Sequence, residues 1–204
     1  MEKKIQGLLI IIIIIVIYAL TLIGFLLTLS ENIFWSLLRL FALFGFVSMA
    51  IASTMTPFAV ELYKIYGKSF IKLHHIFASL GIIFATLHPV IFAIYTFNPL
   101  AFIPVVTDWV LFWELAGRPA LIIIYIAALA ALLRNKFKTS WKKVHALVYI
   151  ALFFALIHGT LIGTSFTNIL ILVLFYGLFA LVILAFVIKR FKIYKRKKKR
   201  STQK

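Results

Sequence analysis

Cysteine is absent from the 204 residues. That excludes disulfides, Fe–S clusters, thiolate metal ligation and covalent C-x-x-C-H cofactor attachment. The nine glycines contain no G-x-G pair, so neither a dinucleotide fingerprint nor a P-loop is encoded. Any electrons the chain handles must therefore come from another molecule. Acids are scarce, five against 22 lysines and arginines. Glu2, Glu31, Glu61, Asp108 and Glu114 all fall outside the apolar cores. A transporter working through histidine–carboxylate pairs would need them inside, which counts against that class.

What is present is apolar. Hydrophobic residues make up 64% of the chain and the mean hydropathy is +1.11. A soluble domain has nowhere to bury that much surface, so the expectation is an all-α integral membrane protein solvated by lipid. The net charge of +17 could suggest nucleic acid, but the basic residues cluster at the ends of apolar runs, where topology explains them. No nucleic-acid partner is expected.

Hydropathy and turn residues divide the chain into a membrane domain, 1–188, and a basic tail, 189–204, expected to be disordered. Six spans are expected, over Ile5–Leu29, Ile33–Met55, Phe70–Thr96, Arg118–Leu133, Val144–Ile162 and Ile169–Ile188. Pro57 ends the second, and the segment after it reads as a loop. Pro89 should remove one backbone bond from the third and bend it. The fourth span is short, and a helix starting near Val110 and kinked at Pro119 is the alternative. An even number of spans places both termini on one side, which then collects 20 of the 22 basic residues and leaves Arg39 and Arg118 for the other. The positive-inside rule makes that side cytoplasmic, in a cell (plasma) membrane.

Four of the five histidines fall into a pattern. His74 and His88 are fourteen residues apart in KLHHIFASLGIIFATLHP, nearly four helical turns. Ala78, Gly81 and Ala85 lie between them on the same face. His145 and His158 are thirteen apart in WKKVHALVYIALFFALIHG. Both helices start on the basic side, so His74 matches His145 in depth and His88 matches His158, roughly 20 Å further on. Two histidine pairs stacked across two apolar helices point to axial ligation of two b-type hemes. Each ligating imidazole needs its second N–H satisfied, for which a carbonyl one turn back on its own helix is the natural candidate. Gly81 either leaves room for a porphyrin edge or lets a helix pack closely. His75 is the alternative inner ligand, or a propionate partner. One difficulty stands: thirteen residues at 100° place His145 and His158 about 140° apart, unless the helix is distorted near Gly159 or irregular at its start.

The histidine spacings, with the Trp141, His145, Leu147, Val148, Tyr149 opening of the fifth helix, resemble the ferric reductase-like transmembrane domain superfamily. Ferric-chelate reductases, NADPH oxidases and the heme subunit of the periplasmic methionine sulfoxide reductase system belong to it. The resemblance covers about residues 34–163. It implies a six-helix bundle with two b hemes, carrying electrons from a cytoplasmic reductase with FMN or FAD to an outer acceptor: ferric iron, oxygen, quinone or a redox protein. The chain lacks the flavin and nicotinamide domain of eukaryotic members, so it resembles a membrane subunit of an oxidoreductase. Gly117-Arg118-Pro119 is similar to a segment of the sulfoxide reductase subunit. That subunit tends to carry arginine where His74 stands, so the full histidine set is more similar to the ferric reductases.

Arg39 and Arg118 could pair with outer propionates or anchor the interface. Lys68, Lys72, Lys142 and Lys143 could do the same inside, dock an acidic flavoprotein or simply set topology. Asp108, Trp109, Trp113 and Glu114 could line an acceptor site or form an aromatic belt. The competing functions are a histidine-based proton or metal transporter and a non-redox scaffold with a basic recruitment tail.

Overall fold

The structure is a computed structural model that describes residues 2–67, 70–138 and 140–202; Lys68 and the last two residues of the tail lie outside them. Among the described residues all regular structure is helical. The helices are α1 (Glu2–Leu26), α2 (Ile33–Thr54), α3 (Ala59–Tyr66), α4 (Phe70–Thr96), α5 (Trp109–Glu114), α6 (Gly117–Leu132), α7 (Arg134–Phe137), α8 (Trp141–His145), α9 (Val148–Ile162) and α10 (Ile169–Thr202). Five helical stretches are long and apolar enough to cross a membrane: Glu2–Leu26, Ile33–Tyr66, Phe70–Thr96, Trp141–Ile162 and Ile169–Arg196. α6 is apolar but shorter, and joins the same two ends of the bundle.

Contacts define those ends. At one, which we call the basic end, Tyr66 donates to the Gly7 carbonyl and Lys192 to the Pro57 carbonyl. At the far end, Arg39 reaches Thr28 and Ser165, and Asn32 reaches Tyr95.

α2 is the axis of the bundle. Leu43 and every residue from Gly45 to Ser53 are buried, and Val47, Ser48 and Ala50 are fully so. Asn32 caps its start by accepting from the Phe34 and Trp35 amides. Among the described residues most polar side chains inside the bundle find partners, Thr56 Oγ1 being buried without one. Ser48 donates to the Phe44 carbonyl and pairs with Tyr18 at 2.6 Å, while Thr21 donates one turn back to Ile17. The outward faces stay apolar: Leu8, Ile12 and Ile15 of α1 and Val173, Leu184 and Val187 of α10 are exposed. Such a surface suits lipid, not water.

Several expectations change. α1 stops at Leu26, where Thr28 turns its hydroxyl onto the Gly24 and Phe25 carbonyls. The segment after Pro57 is not a loop but a 3₁₀ turn and then α3, anchored by buried Leu62 and ended by Gly67 in the left-handed region. α4 keeps its expected bounds, with Pro89 inside it. The connection to the fourth span holds a 3₁₀ turn (Pro99–Phe102) and α5; the span itself is α6, separated from α5 by Leu115 and Ala116 and with Pro119 in its first turn. The tail is not disordered: α10 continues as helix to Thr202.

The fifth span begins irregularly. α8 and α9 are separated by Ala146 and Leu147, and the Leu147, Tyr149 and Ile150 amides each bond three residues back. Three-residue closure winds the backbone faster than an α-helix. Thirteen residues reach the same face if they complete four turns, at about 3.25 residues per turn, so tighter winding acts in the required direction.

Candidate functional site

The four histidines come together as two pairs at matched depths. The His74 and His145 ring centres are 6.0 Å apart near the basic end. Those of His88 and His158 are 6.1 Å apart near the far end. The rings cross steeply, at 76° and 70°. His75, one position from His74, is exposed, and its ring centre lies 6.1 Å from that of His74.

All four rings share one hydrogen-bonding pattern. Nδ1 of His74 lies 3.0 Å from the Ala52 carbonyl and Nδ1 of His88 3.0 Å from that of Leu38, both on α2. Nδ1 of His145 lies 3.0 Å from the Ala127 carbonyl of α6, and Nδ1 of His158 meets the Glu114 carbonyl of α5. The acceptor therefore sits on a neighbouring helix, not one turn back. Glu114 ends α5 and Ala52 lies in the last turn of α2, where carbonyls are left over, while Leu38 and Ala127 lie inside their helices and accept through a second lone pair.

This pattern fixes the tautomer. A carbonyl only accepts, so Nδ1 must carry the proton and Nε2, across the ring, keeps a bare lone pair. Within each pair, whose ring centres lie 6.0 and 6.1 Å apart, Nε2 is the nitrogen that each neutral ring has left to bind with. Two such lone pairs cannot hydrogen-bond to one another. An ion bonded to both nitrogens at about 2 Å, with about 1 Å more to each ring centre, separates the centres by roughly 6 Å. Among the described residues no group of three or more His, Cys, Asp and Glu side chains gathers as a metal cage. Any metal held here takes two protein ligands per level, and its remaining positions must come from another ligand.

Small residues allow this geometry. A Cβ on Gly81 would lie 2.5 Å from Cγ of Met49, and one on Gly45 would lie 3.0 Å from the Ala85 backbone nitrogen. Close approach of α2 and α4 brings α2 carbonyls within reach of His74 and His88. Gly81 thus faces Met49 of the neighbouring helix. Gly117 does a different job: a Cβ there would lie 2.8 Å from Cδ2 and 2.9 Å from Nε2 of His158, so the glycine cradles that ring.

The far-end pair borders open space. Cavities of about 110 and 340 Å³ share His88 and His158 in their walls. Arg39 and Arg118 both line the larger one. Arg39 donates to Ser165 at 2.9 and 3.0 Å and to Thr28 at 2.5 Å. Arg118 donates to the Leu100 and Ile103 carbonyls at 3.1 and 2.9 Å. Every one of these acceptors is neutral, so two positive charges face the cavity uncompensated. Asp108 is occupied as the cap of α5, accepting from the Leu111 amide. Trp109 is exposed, and Trp113 stacks edge-on against Phe153 and Phe154. Lys72, Lys142 and Lys143 are exposed around the basic-end pair.

Sequence reasoning missed the four carbonyls, Met49 and the cradle at Gly117. Backbone acceptors leave no trace in residue type; Gly117, directly before Arg118-Pro119, was the one available signal.

Comparisons with protein-family models, curated proteins and solved structures found no match. The class that can be stated is an all-helical, membrane-type bundle with two stacked, tautomer-locked histidine pairs.

Proposed function

We propose that the chain is a six-span membrane cytochrome of ferric reductase-like type, relaying electrons through two b hemes held by His74–His145 and His88–His158. The observation that carries the reading is the shared setting of the four imidazoles, each with Nδ1 against a carbonyl of a neighbouring helix and paired ring to ring with centres 6.0 or 6.1 Å apart. The carbonyl bonds also tie neighbouring helices together, as structural glue would, but glue gives no reason for the four rings to meet as two pairs. A proton relay needs Nδ1 to pass its proton on, and a backbone carbonyl cannot take it. A histidine-only metal carrier would want three or more protein ligands. A porphyrin supplies four ligands of its own and asks the chain for two.

Heme, if bound, would be held by His74, His145, His88 and His158 and would supply one-electron redox chemistry. The chain's own residues do the rest. The carbonyl bonds fix ring orientation and strengthen Nε2 as a donor. Phe46, Leu152, Phe166 and Phe175 wall the far-end cavities with apolar surface and exclude water. Arg39 and Arg118 offer charge-assisted bonds to the acid edge of an outer porphyrin. Lys72, Lys142 and Lys143 offer the same at the basic end.

Charge placement supports a direction of travel. With the basic end cytoplasmic, electrons from a flavin-bearing reductase would reach the His74–His145 pair first and leave past His88–His158 to an external acceptor. Reporters within residues 134–143 and near Asp108 test the orientation: the first is expected inside and the second outside. Both on one side would overturn it. Purified protein should show a reducible b-type spectrum, and should not oxidise NADH or NADPH without an added flavin enzyme. A colourless protein from heme-replete cells would contradict the reading.

A further inference from the structure

The buried face of α10 runs into a lysine. Ile171, Phe175, Leu178, Val182 and Ala185 are each at most 4% exposed and recur at alternating steps of four and three residues. The next position in that series is Lys189, which is half-buried. Contacts on either side of it fix how the helix is turned. One turn before, Phe186 packs on Tyr149 of α9 with ring centres 4.7 Å apart. One turn after, Lys192 donates to the Pro57 carbonyl at 2.8 Å and to Glu61 at 3.1 Å. At 100° per residue, Lys189 stands in the middle of the arc that α10 turns to the bundle. Tyr149 follows His145 by one turn, and Pro57 closely follows Ala52, whose carbonyl holds His74. Lys189 therefore stands at the level of the His74–His145 pair.

No acid of the chain answers its charge. Among the described residues Lys189 has no hydrogen bond and no acidic partner, and Glu61 is taken by Lys192. The charged and titratable groups within electrostatic reach of it are Lys142, Arg190 and His74. Arg190 is turned onto the Phe186 ring, 4.9 Å from its centre. A half-buried ammonium among cations is costly unless an anion reaches it. Lys72, Lys142 and Lys143 are exposed, so water already screens them. A lipid headgroup fits poorly, because the side of α10 open to lipid is the opposite one, where Leu184 and Val187 are exposed. An acid carried into the bundle at the level of His74 meets the lysine's own side of the helix.

We propose that Lys189 is the acid-binding residue of the inner level, taking a carboxylate at the edge of the porphyrin held by His74 and His145. This deepens the heme reading and rests on it. Read from sequence, that role fell to Lys68, Lys72, Lys142 and Lys143, while Lys189 was counted with the tail. The full-length protein, in nanodiscs of zwitterionic lipid, is loaded with heme or with heme dimethyl ester, whose edge carries no acid. Loss to excess apomyoglobin is then followed, with electron paramagnetic resonance separating the two levels. Lys189→Gln should lose the inner heme about tenfold faster than the parent chain, and Lys189→Arg should stay within about twofold of it. The far-end heme should leave all three at one rate, which reports an intact bundle. With the ester, parent and Lys189→Gln should not differ. Equal loss of inner heme from parent and Lys189→Gln would overturn the proposal and leave the heme reading standing. So would a difference that persists with the ester, or one seen only when phosphatidylserine is in the disc. A parent chain that takes up no heme would overturn both.

Discussion

The two histidine pairs are built from the same bonds but set in different surroundings. His74 and His145 sit at the basic end, where His145 closes a five-residue helix and lysines stand exposed nearby. His88 and His158 sit at the far end, against cavities, a glycine cradle and two arginines without acidic partners. The common part, Nδ1 to a neighbouring carbonyl, sets what each pair can hold. The differing part sets how tolerant each level is of change. A cradle with no slack fails when crowded, whereas a level beside an irregular helix start has backbone freedom to adjust.

The largest effect should come from the ligands. His88→Ala or His158→Ala should remove the far-end heme and leave the other, because the levels lie roughly 21 Å apart along α4. His145→Ala and His74→Ala should give the complementary loss. His75→Ala should keep both hemes, since His75 is exposed. Heme per protein by pyridine hemochrome, with electron paramagnetic resonance to separate the sites, checks each variant.

Next come the glycines, which sharpen the contrast. Gly117→Ala drives a methyl into the His158 ring, at a cost of about 1–3 kcal/mol, and should deplete only the far-end heme. Gly81→Ala meets Met49 instead, at its Cγ (2.5 Å), its Sδ (2.8 Å) and its backbone nitrogen (3.1 Å). It should lower thermal stability by about 1 kcal/mol or more while both hemes remain.

Arg39→Gln and Arg118→Gln should act on potential more than on occupancy. Removing a positive charge disfavours the reduced form, so the far-end midpoint should fall, by about 60 mV for each ~1.4 kcal/mol of lost interaction. The near-basic-end midpoint should stay put. Potentiometric titration reads both together. The smallest effect is expected for Tyr18→Phe, which loses the Ser48 bond for about 1 kcal/mol and should change neither site.

Much of this arrangement was legible beforehand. Apolar runs placed the helices, and the spacing of His74 with His88 and of His145 with His158 placed two levels at matched depth. The choice of His74 over His75 followed from its small-residue face, and the structure turns that face to α2. The missed parts depend on neighbours in space. α2 reads as an ordinary apolar span, yet its burial and its Leu38 and Ala52 carbonyls organise the site. The winding at Ala146–Leu147 has no residue signature, since neither is a breaker. The basic tail was expected to be disordered from its charge alone, while the helix that precedes it and the Lys192 anchor carry it onward.

The most direct test of the central claim is the heme content and axial ligation of the purified full-length chain from heme-replete cells. Two hemes b per chain, both low-spin in the oxidised state and both reducible by dithionite, are the predicted result. A chain with no heme, or with hemes unaffected when His88 and His158 are replaced, would contradict it.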